Sequence, residues 1–141
     1  MLRNIDPVLR GELLKALDEL GHGEEFALVD QNFPAYGVGA EVIDLGEIDS
    51  SRAAKAIFSL FPLDIFGGSP ILKMGIDDHP GVSNEAHDEV RETANRSMGK
   101  DWQWEEVPRQ EFYGRVKTAR LVVRCLESAP YACFLFRKGV I

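Results

Sequence analysis

The stretch from Gly21 to Ala35, GHGEEFALVDQNFPA, decides how this chain is read. A histidine stands between two glycines, an apolar run follows, and an aspartate closes it. Phe26, Ala27, Leu28 and Val29 show no polar alternation, and a short continuous apolar run fits a strand buried on both faces. Upstream, Leu9, Leu13, Leu14, Leu17 and Leu20 recur at helical spacing, so a helix with one buried face leads into the histidine. Asp6-Pro7 reads as the start of that helix, a side-chain cap and then a proline at the first helical position. Gly21 and Gly23 read as its end. Downstream, QNFPAYGVGA is rich in turn residues and reads as a loop.

The rest of the chain repeats this alternation. EVIDL (residues 41–45) is a second strand, and Asp49 or Ser50 caps a second helix with apolar positions Ala53, Ala54, Ile57, Phe58 and Phe61. Pro62 stops that helix, because proline disfavours helix in the residue before it. ILKMGI (71–76) is a third strand and DDHPGVS (77–83) a turn. Ser83 is expected to cap a polar, exposed helix running to about Met98. WQWEEV (102–107) is a fourth strand, and Pro108 opens a short helix to about Lys117. ARLVVRCLE (119–127) is the longest strand candidate, SAPY (128–131) a turn and ACFLFRKG (132–139) the last strand. Strands alternating with helices predict an α/β fold, helices covering a largely parallel or mixed sheet. The 141 residues fit one domain spanning 1–141, with no repeat and no linker.

Charge and composition narrow the function. The net charge of -7 argues against nucleic acid and anionic membranes, since no basic surface is present to release phosphate counterions. The N-terminal MLRNIDPVLR carries charge throughout and does not resemble a signal peptide. No stretch approaches membrane-spanning length, so a cytoplasmic protein is expected. Cys125 and Cys133 read as buried thiols of a reducing compartment rather than a disulfide framework.

Four groups of residues could carry chemistry. His22 sits at a helix-to-strand junction, where loops collect function. A helix C-terminus beside it would favour the charged imidazole, which is a usable general acid near neutral pH. A surface loop without function is the other reading. Asp30 ends an apolar strand, and ligands of open α/β sheets bind beyond strand carboxyl ends. It could accept hydrogen bonds from sugar hydroxyls or orient an imidazole, or simply cap the turn of QNFP. Asp77, Asp78, His79, His87 and Asp88 form a cluster without tight metal-ligand spacing, so a solvated turn and an acidic helix face are expected and no metal. Cys133 could be a nucleophile, but CFLF reads as strand and favours a packed thiol. YGVGAEV contains G-x-G without the third glycine of a dinucleotide fingerprint.

Taken together, these segments resemble the sugar mutarotases of the ribose-pyranase and L-fucose-mutarotase family. The resemblance rests on IDPVLRGELLKALDELGHGEEFALVDQNFPA, on FPLD (61–64), on EFYGRVKTARLVV and on YACFLFRKGVI, which together span almost the whole chain. The forms D-x-N-F-P and F-P-L-D lean towards the fucose branch. The family interconverts anomers of free sugars without metal or other cofactor. The resemblance implies a three-layer α/β/α fold like that of ribose pyranase. It implies a general acid at His22 and a substrate-binding carboxylate at Asp30. It also implies a sugar-contacting Arg109 and a substrate-binding tripeptide Tyr131-Ala132-Cys133. The family pattern at that tripeptide is Tyr, then Gly or Ala, then Asn, so Cys133 replaces an amide with a weakly hydrogen-bonding thiol. The resemblance further implies a ring-shaped homo-oligomer, typically a decamer, with sites at subunit contacts.

The chemistry needed is modest. Mutarotation opens a cyclic hemiacetal while one group protonates the ring oxygen and another takes the anomeric hydroxyl proton, so general acid–base catalysis of about 10²- to 10⁴-fold suffices. The expectation is an isomerase acting on L-fucose or a related aldose, the glycines letting His22 reach the site where Asp30 holds the sugar. Two alternatives stay open: a monosaccharide-binding or regulatory protein of the same fold with little or no turnover, favoured by Cys133, and an unrelated thiol enzyme.

Overall fold

The apolar run after Gly23 is strand β1 (Glu25–Val29) of the computed structural model, which describes residues 1–141. It is preceded by α1 (Gly11–Glu19) and followed by a 3₁₀ turn (Ala35–Gly37), β2 (Glu41–Asp44), α2 (Ser50–Ile57) and β3 (Ile71–Met74). The chain continues through α3 (Glu85–Met98), β4 (Glu105–Val107), α4 (Arg109–Val116), β5 (Leu121–Arg124) and β6 (Phe134–Arg137). The six strands form one sheet in the order β2-β5-β1-β6-β3-β4. Neighbours are parallel except at β6, which runs antiparallel to both β1 and β3. The fold is therefore α/β with a mixed sheet.

Strand pleating sorts the residues of β1 between two cores. Phe26 and Leu28 face α1, α2 and α3, while Ala27 and Val29 face Phe112 and Val116 of α4 and the Phe33–Ala35 loop. All four are fully buried, which is why the run shows no alternation. Burial of each large one is worth about 1.5–3 kcal/mol. The result is three layers, with three helices on one face of the sheet and one on the other.

The first helix starts later than Asp6-Pro7 suggests. Asp6 Oδ1 accepts from the Val8 N–H at 3.0 Å, and both its oxygens take the Arg52 guanidinium at 2.8 and 2.7 Å. The carboxylate thus closes an Asx-type turn and ties it to α2, and Arg10 stays extended before the helix begins at Gly11. The helix ends at extended Leu20 rather than at a glycine. Lys138, just past β6, supplies the missing cap by donating Nζ to the Leu17 and Asp18 carbonyls at 2.7 and 3.2 Å. Two glycines are required nearby. Gly23 has φ +85°, and a Cβ on Gly139 would lie 2.5 Å from the Leu63 carbonyl oxygen.

The third helix also departs from expectation. Asn84, not Ser83, is its N-cap, and the helix is not an exposed one: Ala86, His87, Val90, Ala94 and Asn95 are buried. The apolar residues on that buried stripe are small, so the segment looks polar in sequence.

Candidate active site

Antiparallel pairing of β1 with β6 sets Leu28 opposite Phe134, so the end of β1 and the start of β6 share one rim of the sheet. Asp30 and Cys133 meet there, joined by Met74 at the end of β3 and by Arg109 at the start of α4. With Asn32, Phe33, Tyr113, Pro130 and Tyr131 they line a cavity of about 220 Å³. Other clefts are larger, among them one of about 400 Å³ between Pro7–Leu13 and β2 that holds no aromatic and no buried polar group. The smaller cavity lies beyond the carboxyl ends of parallel strands β1 and β3, where ligands bind in open α/β sheets.

Each wall residue has a defined job. Asp30 is buried, and its Oδ1 accepts from the Asn32 and Phe33 N–H groups, both at 2.9 Å, so it does cap the turn. Burial raises its carboxyl above the ordinary range, only partly countered by those N–H groups and the Cys133 thiol. Arg109 donates Nε to Asp77 at 2.9 Å and lies over the Tyr113 ring at 5.8 Å. Tyr131 holds a left-handed φ of +61°, a conformation that costs a non-glycine residue about 1–3 kcal/mol. Ala132 is fully buried behind it. Cys133 is buried too, and desolvation, with the Asp30 charge beside it, pushes its thiol well above the ordinary value. Cys125 is a second free, buried thiol, pushed by burial up to about 12. Both are buried and shifted away from the thiolate, which speaks against the thiol-enzyme reading.

His22 does not join them. It lies before β1, whose five residues alone put about 16 Å of extended chain between it and Asp30. The expectation that flanking glycines carry His22 to Asp30 fails within one chain for that reason. His22 Nε2 instead lies 3.3 Å from Asp64 Oδ1 at the other rim, with its ring edge-on to Phe66 at 6.1 Å. Asp64 is buried and also accepts from the Phe66 N–H and from Arg137 Nε at 3.0 and 2.9 Å. Burial pushes its carboxyl up, but these bonds and His22 together outweigh it and hold it below the ordinary value. The half-exposed imidazole therefore carries an ionised orienting partner.

Two residues near the cavity escaped the sequence reading. Glu127 accepts from the Ser50 N–H and hydroxyl at 3.0 and 2.8 Å and from the Ala129 N–H at 2.9 Å, pinning the loop before Tyr131 to the start of α2. His87, expected on a solvated acidic face, is fully buried against the Phe134 ring. The signals were present: N-x-x-H is a capping-box spacing, and Ala86, Val90 and Ala94 recur every fourth residue. His79 stays exposed in its turn, with Nδ1 3.0 Å from the Asp77 carbonyl oxygen.

His87 predicts a pH effect. Burial lowers its pKa below 6.5, helped by Lys73 and opposed by the Tyr131 carbonyl, Asp88 and Glu106. The unfolded chain then binds the proton more readily, so this stability is fully present above pH 6.5 and is lost as pH falls below it. Urea midpoints should decline from there towards about pH 5, and His87→Gln should flatten that part of the curve. A wild-type curve flat over this interval would contradict it.

Comparison with known proteins adds a lineage to this geometry. The RbsD / FucU transport protein family matches residues 3–141. The L-fucose mutarotase of Actinobacillus pleuropneumoniae serotype 5b (strain L20) is 33% identical over 140 residues, covering 99% of this chain and 97% of that protein. The crystal structure of protein Atu2016 superposes with a TM-score of 0.95 at 34% identity, over 100% of this chain and 97% of the other. The fucose mutarotase of Streptococcus pneumoniae, solved in complex with L-fucose, has a TM-score of 0.83 at 27% identity over 99% of each chain.

Proposed function

The chain belongs to the RbsD / FucU transport protein family, and from that membership we propose that it is a mutarotase interconverting the anomers of a free monosaccharide, L-fucose or a related aldose. In this reading residues 1–141 work as one sugar-binding unit. Asp30, Arg109, Tyr131, Ala132 and Cys133 hold the sugar. His22 gives a proton to the ring oxygen as the hemiacetal opens, while the anomeric hydroxyl gives its own to water, and both transfers run in reverse on closure. The ring recloses on either face, so protons balance and no cofactor or metal is consumed.

One observation carries the proposal: a cavity that gathers Asp30, Arg109, Tyr131 and Cys133 lies at one rim of the sheet and His22 at the other. A complete set of groups then requires His22 from an adjacent copy. Ile65 and Phe66, half exposed beside His22, supply an apolar surface for such a contact. A closed ring in which each copy lends its histidine to the next meets this need, and a decamer is the assembly proposed. No helix is long and apolar enough to cross a membrane; the proposed location is the cytoplasm.

Cys133 favours one rival, a monosaccharide-binding protein with little or no turnover, because a thiol holds a hydroxyl less well than an amide. Saturation-transfer NMR between anomer signals separates the two. Protein-dependent exchange on L-fucose or another aldose is expected. Binding without exchange across an aldose panel would favour the rival instead.

A further inference from the structure

The left-handed Tyr131 is held by something, and the structure shows what. The N-cap of α3 is a reciprocal pair: Asn84 Oδ1 accepts from the His87 N–H at 2.9 Å, and His87 Nδ1 accepts from the Asn84 N–H at 3.2 Å. With Nδ1 an acceptor, the ring proton is on Nε2, which donates to the Tyr131 carbonyl at 2.8 Å. The remaining donor of Asn84, its Nδ2, reaches the Pro130 carbonyl at 2.9 Å. The capping pair therefore grips two consecutive carbonyls of the cavity wall, across more than forty positions of chain.

We infer that Asn84 and His87 are positioning residues for the sugar site: the start of α3 is a clamp that keeps Pro130 and Tyr131 in a binding-competent shape. Neither touches the cavity; both act through Tyr131. Three facts converge on this. His87 is fully buried and neutral-tautomer geometry leaves it no other use for Nε2. Tyr131 holds a conformation a non-glycine residue adopts only when its surroundings over-determine it. Glu127 grips the other side of the same loop through the Ala129 N–H, so the segment is fixed from both ends. This rests on the reading of Tyr131 as a sugar contact.

The test separates capping from clamping. Asn84→Asp keeps an N-cap acceptor but loses the Nδ2 donor to Pro130. His87→Asn keeps an acceptor for the cap but is too short to reach Tyr131, while His87→Gln restores the reach. Two readouts are followed: amide hydrogen exchange of residues 128–133, and the L-fucose concentration giving half-maximal anomer exchange. Asn84→Asp and His87→Asn should speed amide exchange in that loop and raise the half-maximal concentration about three- to tenfold, with the maximal rate held. His87→Gln should return both towards wild type. Unchanged loop protection in Asn84→Asp and His87→Asn would overturn the clamp, as would equal losses in His87→Gln. If wild type acts on no sugar, the functional reading fails alone, because loop protection still decides the clamp.

Discussion

His22→Ala is expected to slow anomer exchange by about 10²- to 10⁴-fold, the range a positioned general acid contributes, while leaving the fold intact. The imidazole is half exposed, and Asp64 keeps Arg137 and the Phe66 N–H when it is removed. The sharper test is mixing. Arg109→Ala should be impaired through sugar binding, because Arg109 lines the other rim. If each cavity borrows His22 from a neighbour, co-assembling the two inactive variants regenerates sites in which a His22→Ala chain supplies the cavity and an Arg109→Ala chain the histidine. Random mixing in a ring restores roughly a quarter of the sites. Activity in the mixture no higher than the average of the two variants alone would reject the shared site, and full activity in His22→Ala would reject the acid.

The mixing experiment also exposes which parts of this molecule were legible in its sequence. The Phe26–Val29 run announced a strand buried on both faces, and the aspartate after it marked the rim where the candidate cavity lies, because both depend on local pattern. The separation of His22 from Asp30 was legible too, in principle, since an extended run of that length cannot fold back. What local pattern could not carry was the direction of β6. Only its antiparallel placement between β1 and β3 brings Cys133 level with Asp30 rather than with His22. His87 was hidden for a different reason. Its helix is charged on the outside, and the buried stripe is built from alanines and a valine that barely raise local hydropathy. Asp6-Pro7 misled because its carboxylate bonds Arg52, forty-six positions away, and long-range partners override a local start signal.

Cys133→Asn is expected to lower the L-fucose concentration needed for half-maximal exchange by about tenfold or more. The thiol stands beside a buried Asp30 carboxylate that already uses Oδ1 for the Asn32 and Phe33 N–H groups. An amide at this position can donate to that carboxylate, and a hydrogen bond to a charged group is worth about 1.5–3 kcal/mol against the weak bond of a thiol. Asp30, now raised by burial, should titrate lower as its ionised form gains a donor. The rest of the amide then faces the cavity with both a donor and an acceptor for a sugar hydroxyl. Preference should move with it: exchange on whichever aldose the native chain handles best should fall as L-fucose gains. Burial sets the opposing outcome. Cys133 also packs with Leu72, Met74 and Leu135 on the α4 face of the sheet, and an amide turned that way loses its partners at a cost of about 1–3 kcal/mol. A lower melting temperature without any gain on L-fucose would therefore assign Cys133 to the core and leave the cavity wall to Asp30, Arg109 and Tyr131. A gain with the melting temperature held assigns it to the cavity, with thiol in place of amide as the source of the altered preference.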